Sequence, residues 1–441
     1  MGRYLLAVSP IPGHVQPLFT LARELNKRGH RVRLLTGAEF RETATEYELP
    51  FAELPRATGV RPVAPKPGGG LVRRWRTGHA ELRSIVLAPM VAQYAALSDE
   101  LRREDVDAVL VDSMFSGAIP LLLAGGPRPP LLVCGVGPLA LSSADCPPFG
   151  LGWQPQPGRD YTRMNSFVHH VLFRSSQKEL NATLAELGLP SAPVFLLDWP
   201  ILADRVLQFT VPGFEYPRRD LPSSVVFTGP VQEAEPIRDT KPADREAAAG
   251  RRRVVHVTQG TWDNGDFDQL VRPALAALAQ RPDLNVVVTT GSTRDDLDAL
   301  SVPSHIQVRD FVPYTHLLPN IDLMITNGGY GGVQQALSRG VPVIVAGDTA
   351  DKPEVAARVA YTGTGIDLGG IAPAPAAVAS AIDRVLSDPA FRIAAQRLAD
   401  EMARYTPIDT IEGVLSQVGG PVPAIPERNS VLPTRRKEYG L

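Results

Sequence analysis

The chain has 441 residues, of which 44% are hydrophobic and 21% are charged, and its formal net charge is −2. A chain of this length is too large for one hydrophobic core and predicts two domains of roughly 200 residues each. The balanced charge excludes the broad basic surface of a nucleic-acid-binding protein, and having only two cysteines, Cys134 and Cys146, excludes a disulfide framework.

The first predicted element is a short apolar strand, residues 4–9, which runs into a turn rich in proline and glycine. A helix is expected at residues 18–28 and a second strand at residues 31–35. His14 then falls in the loop at the carboxyl end of the first strand, where open α/β sheets bind their ligands. A histidine in such a loop is more often a capping or solvent-exposed residue than a catalytic one.

Asp112 ends another apolar segment, residues 109–111, which predicts a further parallel strand. At the carboxyl end of that strand, its carboxylate can cap the following turn, or it can orient His14 and stabilise the imidazolium form. The residues alone leave both interpretations open.

The carboxyl half repeats the same pattern. A strand is predicted at residues 254–258, followed by Gly260 and Thr261, and two more at residues 285–290 and 306–310. Because helix-length segments separate these strands, they predict a second parallel sheet of the α/β class. The polar, proline-punctuated residues 231–250 between the two halves read as a linker.

A glycine-rich junction follows the strand predicted at residues 323–326 and leads directly into a helix. Without Cβ atoms the backbone can approach a ligand closely, and the helix start offers free N–H groups with the positive end of its dipole. The next strand, residues 341–346, leads to a loop with Asp351 and Lys352 at the same sheet edge. A phosphate site and polyol contacts are therefore expected in one crevice, although tight packing alone also explains an isolated glycine turn.

Residues 311–352 resemble the nucleotide-sugar signature of the family 1 glycosyltransferases, inverting enzymes of the GT-B fold that include UDP-glycosyltransferases and macrolide glycosyltransferases. The resemblance implies an α/β protein with two doubly wound, Rossmann-like parallel-sheet domains that face a central cleft. It implies an acceptor-binding domain at residues 1–230, the linker at 231–250, and a donor-binding domain at 251–415. The tail, residues 416–441, is expected to return toward the first domain.

The resemblance also assigns roles to individual residues. His14 would be the general base for the acceptor hydroxyl, and Asp112 would orient it. Asp351 and Lys352 would hold the donor sugar. The donor base and ribose would contact Phe311, Val312 and Gln335. The donor diphosphate would contact Gly260, Thr261, Asn327, Gly328, Gly329, Gly331 and Gly332.

Three donor-site positions depart from the family pattern. Asn327 replaces a usual His, Gln335 a usual Glu, and Lys352 a usual Gln. The first two changes alter charge and hydrogen-bonding capacity around the diphosphate and the ribose. Lys352 replaces an amide with a flexible cation, which could reach a sugar hydroxyl or the diphosphate. UDP-glucose is the favoured donor, and a dTDP-hexose stays open.

The resemblance thus implies a metal-independent, inverting transfer of a hexose to a hydroxyl of a small lipophilic natural product. No metal and no cofactor beyond the nucleotide-sugar co-substrate is expected, and neither nucleic acid nor a membrane is an expected partner. The amino-terminal apolar segment is short and broken by Pro10 and Pro12, so a cytoplasmic enzyme is expected. Its oligomeric state stays open.

Two alternatives stay open beside this function. A sugar-nucleotide epimerase of the GT-B fold would use the same diphosphate crevice and consume the donor without an acceptor. A non-catalytic sugar-nucleotide-binding or activator protein would explain the three departures at Asn327, Gln335 and Lys352.

Overall fold

A computed structural model describes residues 1–60, 63, 70–232, 252–291 and 302–418. These residues form two parallel sheets, each with helices packed on its faces. Most of the linker expected at residues 231–250 lies outside the described residues, as does the expected tail from residue 419 onward.

The first sheet contains seven described strands, which are parallel throughout and lie in the order β3-β2-β1-β4-β5-β6-β7. The strands are β1 (Arg3–Ala7), β2 (Arg31–Thr36), β3 (Phe51–Glu53), β4 (Ala108–Asp112), β5 (Leu131–Gly135), β6 (Arg205–Gln208) and β7 (Val225–Phe227). The helices are α1 (Pro12–Lys27), α2 (Arg41–Glu46), α3 (Gly70–Glu81), α4 (Met90–Arg103), α5 (Ala118–Leu123), α6 (Thr162–Phe167) and α7 (Arg174–Glu186).

The second sheet contains six described strands, again all parallel, in the order β10-β9-β8-β11-β12-β13. The strands are β8 (Arg253–Thr258), β9 (Leu284–Thr289), β10 (Ile306–Arg309), β11 (Leu323–Thr326), β12 (Val343–Val345) and β13 (Gly365–Asp367). The helices are α8 (Val271–Leu278), α9 (Tyr314–Leu317), α10 (Tyr330–Leu337), α11 (Lys352–Tyr361), α12 (Pro375–Ser387), α13 (Pro389–Met402) and α14 (Pro407–Val418).

Both faces of the first sheet are apolar because helices cover both of them. In β1, Leu6 packs into the cluster on one face and Leu5 into the cluster on the other. Helix α1 contributes Val15, Leu18 and Leu25 to the first of these clusters, at the spacing that places side chains on one face of a helix.

Helix α1 starts earlier than the sequence pattern predicts. It begins at Pro12 rather than at residue 18, and it runs through Pro17. A proline fits the first helical turn because the N–H group that it lacks would have no partner there. His14 therefore lies in the first turn of α1, and its expected place in an open loop is wrong.

Helix α14 belongs to the core of the first domain although it ends the described chain. Ile411, Val414 and Leu415 pack in the same cluster as β1 and α1. Glu412 pairs with Arg28 and His30. The chain thus returns to the first domain from Pro407, so the boundary predicted at residue 415 falls inside this helix.

Each sheet has a switch point, where two neighbouring strands connect to helices that pack on opposite faces of the sheet. In the first sheet it lies between β1 and β4, and in the second between β8 and β11. Ligands of doubly wound sheets bind in the crevice outside the carboxyl ends of the strands at this position. His14 follows β1 and Asp112 ends β4, whereas Gly260 and Gly328 follow β8 and β11.

Candidate active site

His14 and Asp112 lie in hydrogen-bond contact at the carboxyl edge of the first sheet. The Nδ1 atom of His14 is 2.9 Å from Oδ1 of Asp112, whose side chain is fully buried. The Asp112 carboxylate also accepts backbone N–H groups, from Ser9 on Oδ2 and from Met114 on Oδ1. These bonds hold the carboxylate in one orientation, so both the orienting and the capping interpretation of Asp112 describe real contacts.

This contact determines which nitrogen of His14 carries a hydrogen. A carboxylate can only accept a hydrogen bond, so the bonded Nδ1 is the protonated nitrogen of the neutral ring. The Nε2 atom then keeps its lone pair. Because the His14 side chain is 19% exposed, a ligand in the cleft can reach the ring.

The glycine junction forms a tight turn between β11 and α10. Gly328 has a φ of +94°, and a Cβ atom there would lie 2.6 Å from Cγ1 of Val345. Gly329 is the N-cap residue of α10, and Gly331 and Gly332 lie in its first turn. No atom lies within 4 Å of a Cβ built on Gly331. The first N–H groups of α10 have no partners inside the helix, so they are available to bind an anion.

Asn327 connects the loops that follow β8 and β11. Its Nδ2 atom donates to the carbonyl of Gln259 at 2.5 Å, and its Oδ1 atom accepts from the N–H of Gly329 at 3.4 Å. Gly260 follows Gln259 with a φ of +74°, and the exposed Thr261 comes next. The amide of Asn327 thus holds the glycine junction against the Gly260 loop. These two bonds use only one of the two N–H groups on Nδ2.

The residues expected to contact the base and ribose lie around the same junction. Phe311 follows β10 and is 68% exposed. Val312 is partly buried against the apolar cluster beneath α10. Gln335 is partly buried and lies one helical turn after Gly331. Its neighbour Gln334 points elsewhere and accepts from Thr210 of the first domain at 2.9 Å.

Lys352 occupies a buried position at the start of α11, just after the loop that follows β12. Its Nζ atom lies 2.6 Å from Oδ2 of Asp263 and 2.6 Å from Oγ1 of Thr349. Its side chain is only 8% exposed. Lys352 is therefore a fixed member of an ion pair rather than the flexible cation that the sequence indicates.

Asp351 lies beside the first domain. A Cβ atom on Gly137 would be 3.5 Å from Oδ2 of Asp351. Burial raises the pKa of Asp351, and electrostatic interactions with His14, in its imidazolium form, and with Lys352 partly offset this effect. The predicted catalytic histidine and the predicted sugar-binding aspartate thus face the same cleft from opposite domains.

Further contacts across the cleft involve charged residues that sequence reasoning does not identify. Glu81, at the end of α3, accepts the N–H of Ala350 at 2.9 Å, and Arg73 on the same helix pairs with Asp348. Burial raises the pKa of Glu81 to about 7. The sequence offers no signal for these contacts, because it does not show that α3 lies over the loop after β12.

Among the described residues, no cluster of three or more His, Cys, Asp or Glu side chains is arranged to hold a metal ion. No helix in the described ranges has the length and apolar character that a membrane crossing requires.

Comparison with known proteins identifies the family. The profile of the glycosyltransferase family 28 N-terminal domain matches residues 12–86. The profile of the erythromycin biosynthesis protein CIII-like C-terminal domain matches residues 273–415. The chain is 35% identical to the 4'-demethylrebeccamycin synthase of Lentzea aerocolonigenes over 436 residues, or 94% of this chain and 100% of that one. This chain belongs to the family 1 glycosyltransferases.

Other comparisons agree with this assignment. The glycosyltransferase is 31% identical to UDP-glycosyltransferase 2 of Phaeomoniella chlamydospora over 446 residues, which is 94% of either chain. It superposes on the solved glycotransferase of kitacinnamycin with a TM-score of 0.70 at 21% identity, covering 95% of this chain and 98% of that one. The predicted GT-B fold is thereby confirmed. These relatives favour a glycosyltransferase over an epimerase or an activator protein.

Proposed function

We propose that this glycosyltransferase moves a hexose from a nucleoside diphosphate sugar to a hydroxyl of a small lipophilic acceptor, with inversion at the anomeric carbon. The observation that carries the proposal is the His14–Asp112 pair, which faces Asp351 across the cleft. A base on the acceptor side and a polyol-binding carboxylate on the donor side are the two groups that such a transfer needs.

His14 is the general base of the proposed reaction. Its Nε2 lone pair takes the proton of the acceptor hydroxyl while the oxygen attacks the anomeric carbon. Asp112 stabilises the imidazolium that forms and keeps the ring in the productive orientation. The new glycosidic bond forms as the bond to the nucleoside diphosphate breaks, on the opposite face of the sugar.

The glycine junction receives the leaving diphosphate in this proposal. The first turn of α10 supplies N–H groups and a positive dipole end, with the backbone of Gly260 and Thr261 opposite. The exposed ring of Phe311 offers a stacking surface to the base, and Gln335 lies within the same region for the ribose. Several relatives are named UDP-glucosyltransferases, which supports UDP-glucose over a dTDP-hexose.

We expect a lipophilic acceptor because two exposed tryptophans lie on segments of the first domain that contact the second. Trp75 lies on α3, the helix that contacts the donor loop, and Trp153 follows Gly152, whose N–H donates to Glu354 of the second domain. Each tryptophan is 39% exposed. Large flat side chains in such positions favour an aromatic or polyketide acceptor over a sugar chain.

A nucleotide-release assay tests the proposal. UDP-glucose and dTDP-glucose are each offered with and without a panel of phenolic and polyketide acceptors, and the products are analysed by mass. Acceptor-dependent release with a mass gain of one hexose is expected, faster with UDP-glucose. Release or isomerisation without any acceptor would overturn the transferase mechanism, and product formed only from dTDP-glucose would overturn the donor assignment.

A further inference from the structure

Three side chains form a closed hydrogen-bonded triangle beside the predicted sugar position. Lys352 donates to both Asp263 and Thr349, and Thr349 donates to Oδ2 of Asp263 at 2.7 Å. Asp263 lies in the loop after β8, whereas Thr349 lies in the loop after β12 and Lys352 is the first residue of α11. The contact between Lys352 and Asp263 lowers the pKa of the Asp263 carboxyl despite its partial burial.

This triangle leaves one donor and one acceptor unused. An ammonium group has three N–H donors, of which Lys352 commits two. The described side-chain hydrogen bonds of Asp263 all reach Oδ2, so its Oδ1 atom stays available as an acceptor. The Asp263 side chain is 21% exposed, which gives a ligand access to this atom.

The free groups suit a sugar better than a diphosphate. The ammonium of Lys352 is neutralised by Asp263, and the carboxylate would repel a second anion. A sugar with neighbouring hydroxyls can instead accept from Lys352 and donate to Asp263 at the same time. In the family pattern a glutamine stands at position 352, and its amide offers the same combination of one donor type and one acceptor.

We propose that Asp263, through its free Oδ1 atom, is a specificity-determining residue that binds a hydroxyl of the donor sugar beside Lys352. The proposal rests on the hexosyl transfer proposed above and adds Asp263 to its site. It also predicts the sugar class, because a deoxysugar leaves a largely buried charged pair without its hydrogen-bond partner. The pair thus selects a fully hydroxylated hexose.

The test compares nucleoside diphosphate glucose with its 2-, 3-, 4- and 6-deoxy analogues. Catalytic efficiency, kcat/KM, is measured for the wild type, for Asp263→Asn, and for the charge-neutral double variant D263N/K352Q. The dissociation constant of the nucleoside diphosphate alone is measured for each protein, and circular dichroism checks that each protein is folded.

The wild type is expected to lose on the order of 10²-fold in kcat/KM with at least one deoxy donor. In Asp263→Asn, the loss in kcat/KM between glucose and that deoxy donor should shrink to about tenfold or less. The variant already lacks the carboxylate that accepts the sugar hydroxyl, so removing this hydroxyl costs less. Nucleoside diphosphate affinity should stay within about twofold in D263N/K352Q, because this double variant keeps the pair neutral.

Two results would overturn this proposal. One is a wild type that uses all deoxy donors as well as glucose. The other is a set of folded variants whose kcat/KM falls by the same factor with every donor, together with weaker binding of the nucleotide alone. Failure of the underlying transfer is distinguishable, since the wild type would then transfer no sugar from any donor.

Discussion

Arg358 and Glu215 form a buried ion pair that joins the two domains. The Nε atom of Arg358 donates to Oε2 of Glu215 at 2.7 Å, and the two side chains are 1% and 2% exposed. The guanidinium also donates to Glu354 and lies over the ring of Tyr216 at 4.4 Å from its centroid. Arg358 and Lys352 both lie on α11. The ion pair therefore anchors the helix whose first residue belongs to the proposed sugar site.

Replacing Arg358 with Met should destabilise the protein by about 3–5 kcal/mol, because it leaves the Glu215 and Glu354 carboxylates buried without their cation. Urea unfolding measures the loss in free energy. Arg163→Ala on the exposed surface of α6 is the matched control and should change stability by less than about 0.5 kcal/mol. Equal stability of the two variants would contradict the structural role of the ion pair.

Replacing His14 with Ala should lower kcat by about 10²–10⁴-fold, since the acceptor hydroxyl loses its base. Affinity for the nucleoside diphosphate, measured by calorimetry, should stay unchanged because the diphosphate residues lie on the other domain. Asp112→Asn should lower kcat as well, since an amide N–H facing Nδ1 favours the wrong tautomer. Turnover near that of the wild type in His14→Ala would remove His14 from the mechanism.

Two glycine substitutions should separate folding from binding. Gly328→Ala combines a positive φ with a close contact to Val345, so it should cost at least about 1–2 kcal/mol of stability. Gly331→Ala meets no neighbour within 4 Å and lies in a helix, so stability should hold or rise. Its methyl group should instead weaken donor binding by occupying the anion space. Thermal unfolding and nucleotide titration of both variants check this contrast.

Glu81 should make stability depend on pH. Burial raises its pKa from 4.5 to about 7, so the folded protein holds a proton that the unfolded chain releases. The resulting contribution to stability is complete below pH 4.5 and is lost as the pH rises through 7. Relative to Glu81→Gln, the wild type should lose at most about 3 kcal/mol between pH 4.5 and 8. Parallel pH profiles of unfolding free energy in the two proteins would contradict this role.

Local sequence features were sufficient to predict eight of the thirteen described strands and the glycine junction. The strand at Leu323–Thr326 lies where the pattern of apolar residues predicts it, because a strand buried on both faces leaves a continuous apolar segment. His14 and Asp112 were paired through strand ends, and parallel strands bring those ends to one edge. The helix start at Pro12 was missed since proline usually breaks a helix interior and here occupies the first turn.

Contacts between the domains could not be predicted from the sequence. Glu81 and Arg358 look like ordinary charged residues on helices. Only the structure reveals that Glu81 is bonded to a loop of the second domain and that Arg358 is buried. Lys352 illustrates the same limit. The sequence suggests a mobile cation, whereas Asp263, almost ninety positions away, holds it in place.

The return of helix α14 has a consequence for dividing this protein. A fragment that ends at the linker would lack Ile411, Val414 and Leu415, and an apolar groove beside α1 would meet water. Each such side chain contributes about 1.5–3 kcal/mol when buried, so the fragment should aggregate rather than fold independently. An acceptor-domain exchange between relatives would have to transplant two separate stretches of sequence, with the second beginning at Pro407.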